Sequence, residues 1–195
     1  MGIWIFLGII VVLIVFVISV YNRLISLRNR FKNAFAQIDV QLQRRHDLIP
    51  NLVESAKAYM THEASTLTAV TEARSAAMGA RKSASAHPED GNAMAALGRA
   101  ETALSGALAN FMALSENYPQ LRANENISQL MEELSSTENR IGFARQAFND
   151  AVMTYNTYRE QFPNNFIGGL FGSFSAAQLL QIENAEARTA PKVAF

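Results

Sequence analysis

Apolar positions along this chain follow two different patterns. From Ile3 to Val20 all eighteen positions are uncharged and most are large and apolar (IWIFLGIIVVLIVFVISV). Beyond Tyr21 the apolar residues thin out to a stripe that recurs every three or four positions. The first pattern predicts a helix in lipid, because a run of this length at about 1.5 Å per residue crosses most of a bilayer's hydrocarbon core. The second predicts amphipathic helices in water.

Leu24, Leu27, Phe31, Phe35, Ile38 and Leu42 form the first stripe, on a helix that continues out of the membrane. A break is expected at Arg44-Arg45-His46-Asp47-Leu48-Ile49-Pro50. Asp47 can serve there as an N-cap, Pro50 falls in a first turn, and Ile49 is biased away from helix by the proline after it. A second helix, from Leu48 to about Lys82, points Leu52, Val53, Ala56, Met60, Leu67 and Val70 inward, and Ser83 to Asn92 reads as a loop. The third carries Leu97, Leu104, Phe111 and Tyr118 at seven-residue steps, with Ala100, Ala107 and Leu114 between them, and stops at Pro119. The fourth carries Ile127, Leu134, Ile141, Phe148, Tyr155 and Phe162, with Leu130, Thr137, Ala144, Ala151 and Tyr158 as its second seam. Asn124 is its candidate cap, Glu125 suits the positive end of its dipole, and Pro163 ends it.

Coiled-coil-like heptads favour shallow antiparallel crossings near +20°. The expected fold is therefore all-α: an N-terminal transmembrane helix continuing into an antiparallel up-and-down four-helix bundle. The divisions are an anchor (1–21), a bundle (22–162), an apolar C-terminal segment (163–182) and a disordered tail (183–195). Three or four buried apolar side chains per helix, at about 1.5–3 kcal/mol each, suffice for an independent domain. By parity the fourth helix returns toward the membrane. The glycine-rich segment Phe162 to Phe174 then either docks at headgroup level or packs under the bundle's base. One length does not fit: a helix from Leu48 to Lys82 outruns the soluble part of the first. Either the second helix ends near Arg74 to Gly79, or the first two helices are one long rod kinked at Pro50, with the parity reversed.

Arg23, Arg28, Arg30 and Lys32 follow the apolar run. By the positive-inside bias they determine the topology, with a short N-terminus outside and the bundle in the cytoplasm of a single-pass inner-membrane protein. Met1-Gly2 offers no basic leader, and Ser19-Val20-Tyr21-Asn22 no good cleavage site, so an uncleaved anchor is expected rather than a signal peptide. The string MGIWIF lacks the Ser or Thr of a myristoylation motif. Seventeen basic and seventeen acidic residues cancel, which gives nucleic-acid binding no support. With no cysteine, disulfides, zinc thiolates and thiol catalysis are excluded.

Candidate chemistry is sparse. His46-Asp47 beside Arg44 and Arg45 resembles a dyad, but sequence neighbours on a turn rarely face each other, and no nucleophile or pocket is visible. His62-Glu63 lacks the second histidine of HExxH. Glu132, Glu133 and Glu138 lack the paired Glu-x-x-His of di-iron bundles. Thr137-Glu138-Asn139-Arg140 interrupts the apolar face of the fourth helix and is placed, by counting, level with His62-Glu63. There it forms either a buried polar cluster that fixes register or a solvated face with Thr137 alone inside. No catalytic residue, cofactor or metal is expected.

The strings YNRLISLRNRFKNAFAQIDVQLQRRHDLIPNLVESAKAYMTHE, ENYPQLRANENISQL, MEELSSTENRIGFARQAFNDAVMTYN and QFPNNFIGGLFGSF, in that order, resemble the LemA family over nearly the whole chain. The resemblance implies a bacterial inner-membrane protein with one N-terminal span and a helical bundle, and no established catalysis. Links of the family to envelope stress, a membrane metalloprotease and magnetosome formation are associations. Phe148 stands where tyrosine is common and Gly142 where alanine is commoner, and no site residue carries over. The expected function is a membrane-tethered scaffold that contacts the lipid bilayer and forms a homo-oligomer, with Ala73, Ala76, Ala77 and Ala80 as a flat packing face. The competing expectation is an adaptor for a membrane-protein partner such as a protease or sensor. The contact surface is then Arg44, Arg45, His46, Asp47, Glu138, Asn139 and Arg140.

Overall fold

The computed structural model describes residues 1–172 and 174–182. Among them are the helices α1 (Gly2–Lys57), α2 (Ala64–Ala86), α3 (Gly91–Ser115), α4 (Pro119–Arg122), α5 (Glu125–Glu160) and α6 (Asn164–Leu170), and no strand. The tail expected to be disordered, 183–195, lies outside the described residues.

The anchor and the first core helix are one rod of 56 residues. Its buried stripe runs Val20, Leu24, Leu27, Phe31, Phe35, Ile38, Leu42, Arg45, Ile49, Leu52 and Ala56 in steps of three and four. The break expected at Asp47–Pro50 is absent. Asp47 caps nothing; its carboxylate accepts both its hydrogen bonds from the Gln43 side-chain amide, at 2.8 Å. Pro50 lies inside the helix, where it lacks the N–H that would reach the carbonyl of His46. Arg74 of α2 takes that donor's place, its Nε donating to the His46 carbonyl at 2.6 Å. The turn falls instead between Lys57 and Ala64. The two expected helices are thus one rod through Pro50, as in the alternative reading.

The Ser83–Asn92 loop shortens to the residues between Ala86 and Gly91, because Asp90 caps α3 by accepting from the Asn92 N–H at 2.8 Å. On α3 the buried seam passes through Leu97, Glu101, Leu104, Leu108 and Phe111 rather than through Ala100 and Ala107. Asn124 caps α5 as expected, accepting from the Ile127 N–H at 3.2 Å. Ile127, Leu134, Ile141, Phe148 and Tyr155 are buried as the heptads predict, whereas Phe162, beyond the end of α5, is exposed.

Helix α1 packs along α5 and against α2, and α2 packs on α3. The Phe31 ring lies 6.3 Å from Phe148 and 5.2 Å from Tyr155. Farther from the anchor Arg45 meets Glu138, and farther still Asn124 donates to the Tyr59 hydroxyl at 3.1 Å. Numbers therefore rise along α1 as they fall along α5. In the C-terminal segment, Phe171 and Phe174 lie against Tyr21 of α1. There α6 packs on α1 and α5, and residues 174–182 continue as an extended strap.

The proline and its substitute donor are expected to be coupled. Arg74→Met should destabilise the detergent-solubilised chain by about 1–3 kcal/mol, the cost of a stranded buried carbonyl. In a Pro50→Ala background, where the substituted residue supplies the helical N–H, thermal unfolding should show most of that loss recovered.

Candidate functional site

Two apolar clusters make up the core, one around Phe31, Phe148 and Leu97, the other around Leu52, Leu104 and Phe111. Between them along α1 comes a charged layer. Arg45, His46 and Glu101 are 1%, 0% and 0% exposed. The Arg45 guanidinium donates to the carboxylates of Glu101 on α3 and Glu138 on α5, and to Ser105 Oγ at 3.3 Å. The second Glu101 oxygen lies 2.9 Å from His46 Nε2, where an imidazole N–H donates to it. Thr137 is also buried and returns its hydroxyl to the Glu133 carbonyl at 2.7 Å. Charges leave water at such depth only when paired and hydrogen-bonded.

The seven residues expected to form one contact surface are divided by this layer. It gathers Arg45, His46 and Glu138, and makes the first two unavailable to a partner. His46 points inward and Asp47 is exposed, so they form no dyad. Arg44 is exposed, 3.4 Å from Glu133, and Asn139 and Arg140 are exposed beside it on α5. Thr137–Arg140 does not lie level with His62-Glu63. Glu63 sits at the far end, where the Tyr118 hydroxyl donates to it at 3.2 Å; burial and that bond raise the Tyr118 pKa. Glu101 was missed, although it interrupts the Leu97–Leu104–Leu108–Phe111 stripe. Among the described residues no cluster of three metal-ligating side chains forms.

The alanine face expected to pack on a second copy is largely used within the chain. Ala77 is fully buried, and Ala73 and Ala80 pack on the two core clusters. The four topology cations also divide. Arg23 and Arg30 are exposed, Arg28 lies over the Phe174 ring at 5.4 Å, and Lys32 lies 3.0 Å from Glu89. Burial opposes ionisation of Glu89, but the Lys32 hydrogen bond and charge outweigh it and lower its pKa.

Helices α3 and α5 have little direct contact, and a groove runs between them. Its anchor-proximal half is filled by the strap, which the sequence did not reveal. Asn156 donates to the Ala177 carbonyl at 2.8 Å and accepts from the Ala177 N–H at 3.0 Å. Asn149 does the same at Leu180, at 3.2 and 2.9 Å. Seven helical residues span about 10.5 Å and three extended ones about 10 Å, so the two clamps keep register with the strap. Tyr155 donates to the Ser175 carbonyl at 2.9 Å and Arg145 to that of Ile182 at 2.7 Å. Phe174, Ala177 and Leu180 turn inward at every third position. The α3 wall is kept bare by Gly91 and Gly98; a Cβ on Gly98 would lie 2.3 Å from the Gln181 carbonyl oxygen. Past Ile182, among the described residues, the groove is a cavity of about 530 Å³ lined by Arg45, Ser105, Leu108, Met112, Leu134 and Glu138 among others.

The sequence profile described as LemA family matches residues 34–195. The chain is 26% identical over 167 residues to the magnetosome protein MamQ of Magnetospirillum gryphiswaldense, covering 78% of this chain and 61% of that protein. It is 25% identical over 177 residues to the magnetosome proteins MamQ 1 and MamQ 2 of Paramagnetospirillum magneticum, covering 83% of this chain and 64% of each. The chain thus spans under two thirds of the length of these relatives.

Arg45→Met leaves Glu101 buried without its cation and is expected to cost about 3–5 kcal/mol. Arg44→Ala, at a half-exposed pair one residue away, should stay within about 0.5 kcal/mol in the same unfolding assay. Gly98→Ala should expel the end of the strap, seen as faster proteolytic cleavage between Phe174 and Ile182 while helix content by circular dichroism is retained.

Proposed function

Because the chain belongs to the LemA family, we propose that it is a membrane-tethered helical scaffold without catalytic activity, working through self-association or protein contacts at the inner membrane. Its long helices are taken as an antiparallel up-and-down four-helix arrangement of α1, α2, α3 and α5. The bundle is assigned to the cytoplasm, on the positive-inside bias of Arg23, Arg28, Arg30 and Lys32. The observation that carries the proposal is the α3–α5 groove. Half of it already holds an extended segment through that segment's main chain, and among the described residues the other half is a cavity lined by both apolar side chains (Leu108, Met112, Leu134) and polar ones (Arg45, Ser105, Glu138). Such a groove takes an extended segment of another molecule by the same means. The relatives' printed names tie them to the magnetosome.

A second reading, a regulatory adaptor of another membrane protein such as an envelope-stress protease or sensor, is favoured by the exposed polar residues Arg44, Asn139 and Arg140, of which Asn139 lines the groove. Both readings are tested by a photo-crosslinking residue at Ala109, on the open stretch of the groove, in the full chain in living cells. A discrete adduct is expected, and Ala113→Arg, which fills the groove, should abolish it. An adduct between two copies supports the scaffold, and one with a different membrane protein the adaptor. No adduct, or one indifferent to Ala113→Arg, overturns both.

A further inference from the structure

The base of the bundle carries an apolar surface that neither the core nor the groove uses. Phe162, Phe166, Leu170 and Phe171 are 87%, 72%, 72% and 46% exposed, and no charged residue occurs from Gln161 to Gly172. The segment is nevertheless seated. Asn164, Ile167 and Gly168 are buried, and a Cβ on Gly168 would touch Leu24 at 3.7 Å and Phe174 at 3.9 Å. The Phe171 and Phe174 rings lie 5.0 and 5.4 Å from that of Tyr21, both edge-on. Val17 packs against the same cluster. This corner of the domain thus reaches alongside the last turn of the apolar run.

The height of that turn follows from length. Eighteen residues rise about 27 Å, and a bilayer's hydrocarbon core is about 30 Å thick. The run has nothing to spare, so Val17 to Tyr21 stands at the boundary between acyl chains and headgroups. Side chains held at the same level beside α1 meet lipid rather than bulk water. Phenylalanine and leucine are favourable there, and the exposed cations Arg23 and Arg30 lie within the next turns of α1, where lipid phosphates are.

We propose that α6 and its flanks are a second membrane contact. Phe162, Phe166, Leu170 and Phe171 enter the interface of the leaflet from which α1 emerges, and so press the base of the bundle onto the bilayer. A single helix leaves a domain free to turn about its axis; a second contact beside it fixes which face of the bundle looks along the membrane. The α3–α5 groove is thereby held at a set orientation to the surface. The inference needs α1 to span the bilayer and does not depend on what the groove binds.

The chain's only tryptophan, Trp4, permits a direct test. The full-length variant Trp4→Phe/Phe166→Trp is placed in vesicles of phosphatidylethanolamine and phosphatidylglycerol, with Leu170→Trp in the same background as a second probe. Both are expected to emit at blue-shifted wavelengths, to resist aqueous acrylamide, and to lose most of their emission to lipids brominated near the headgroup end of the acyl chains. Val40→Trp, 60% exposed and about 30 Å up α1, should behave in the opposite way. Quenching of residues 166 and 170 by acrylamide but not by brominated lipid overturns the proposal. So does protection from both quenchers that is lost on diluting the protein in lipid, which would mean that a second copy covers the patch.

Discussion

A guanidinium is stripped of water in a protein core only where carboxylates and other acceptors replace that water. Arg45 meets this condition by drawing on two other helices at once, Glu101 of α3 and Glu138 of α5. The layer reaches the fourth long helix as well. His46, adjacent in sequence, holds Glu101 through its ring, while its main-chain carbonyl is completed by Arg74 of α2. All four long helices are tied at one level by directional bonds. This matters because the apolar stripes alone are degenerate: a slip of one heptad, about 10.5 Å, would again set Leu, Ile and Phe against their like. Only one register brings Arg45 between its two carboxylates.

The same layer explains why a proline is tolerated deep in a long helix. Pro50 would normally strand the carbonyl of residue 46, costing about 3 kcal/mol or more. Here the stranded carbonyl becomes the acceptor that draws Arg74 in from α2. The local fault in α1 and the attachment of α2 are one contact.

Much of the helical layout was legible. The heptad residues of α5 from Ile127 to Tyr155 are buried as their spacing demands, and the Asn124 cap stands where the polar-to-apolar switch puts it. The error at Pro50 came from trusting a local breaker over phase. The stripe Leu42, Arg45, Ile49, Leu52, Ala56 never resets, and an unreset stripe means an unbroken helix; what hid it was that one member, Arg45, is charged. Glu101 escaped for the same reason, a charge in an apolar seam being a demand for a distant partner that one helix cannot name. The strap was illegible for a different cause. Its main-chain amides are read by Asn149 and Asn156, so it needs no alternating pattern of its own. The traces it leaves lie elsewhere, in two asparagines and two glycines each seven residues apart.

Because Val20 is already buried in the bundle, no flexible linker separates the anchor from the core. The helix that carries the apolar N-terminal run is also the helix that carries Arg45. A tilt or rotation of the span is therefore transmitted as a rigid movement at least as far as the charged layer, with no soft segment to absorb it. The described strap runs from Phe174, against Tyr21 and Arg28, to Ile182 beside Arg145, about two helical turns from Glu138. It bridges the anchor end of the molecule to the mouth of the open groove along the flank of α5. Its register is set twice over, by the Asn149 and Asn156 clamps on its main chain and by the burial of Phe174, Ala177 and Leu180 at every third position.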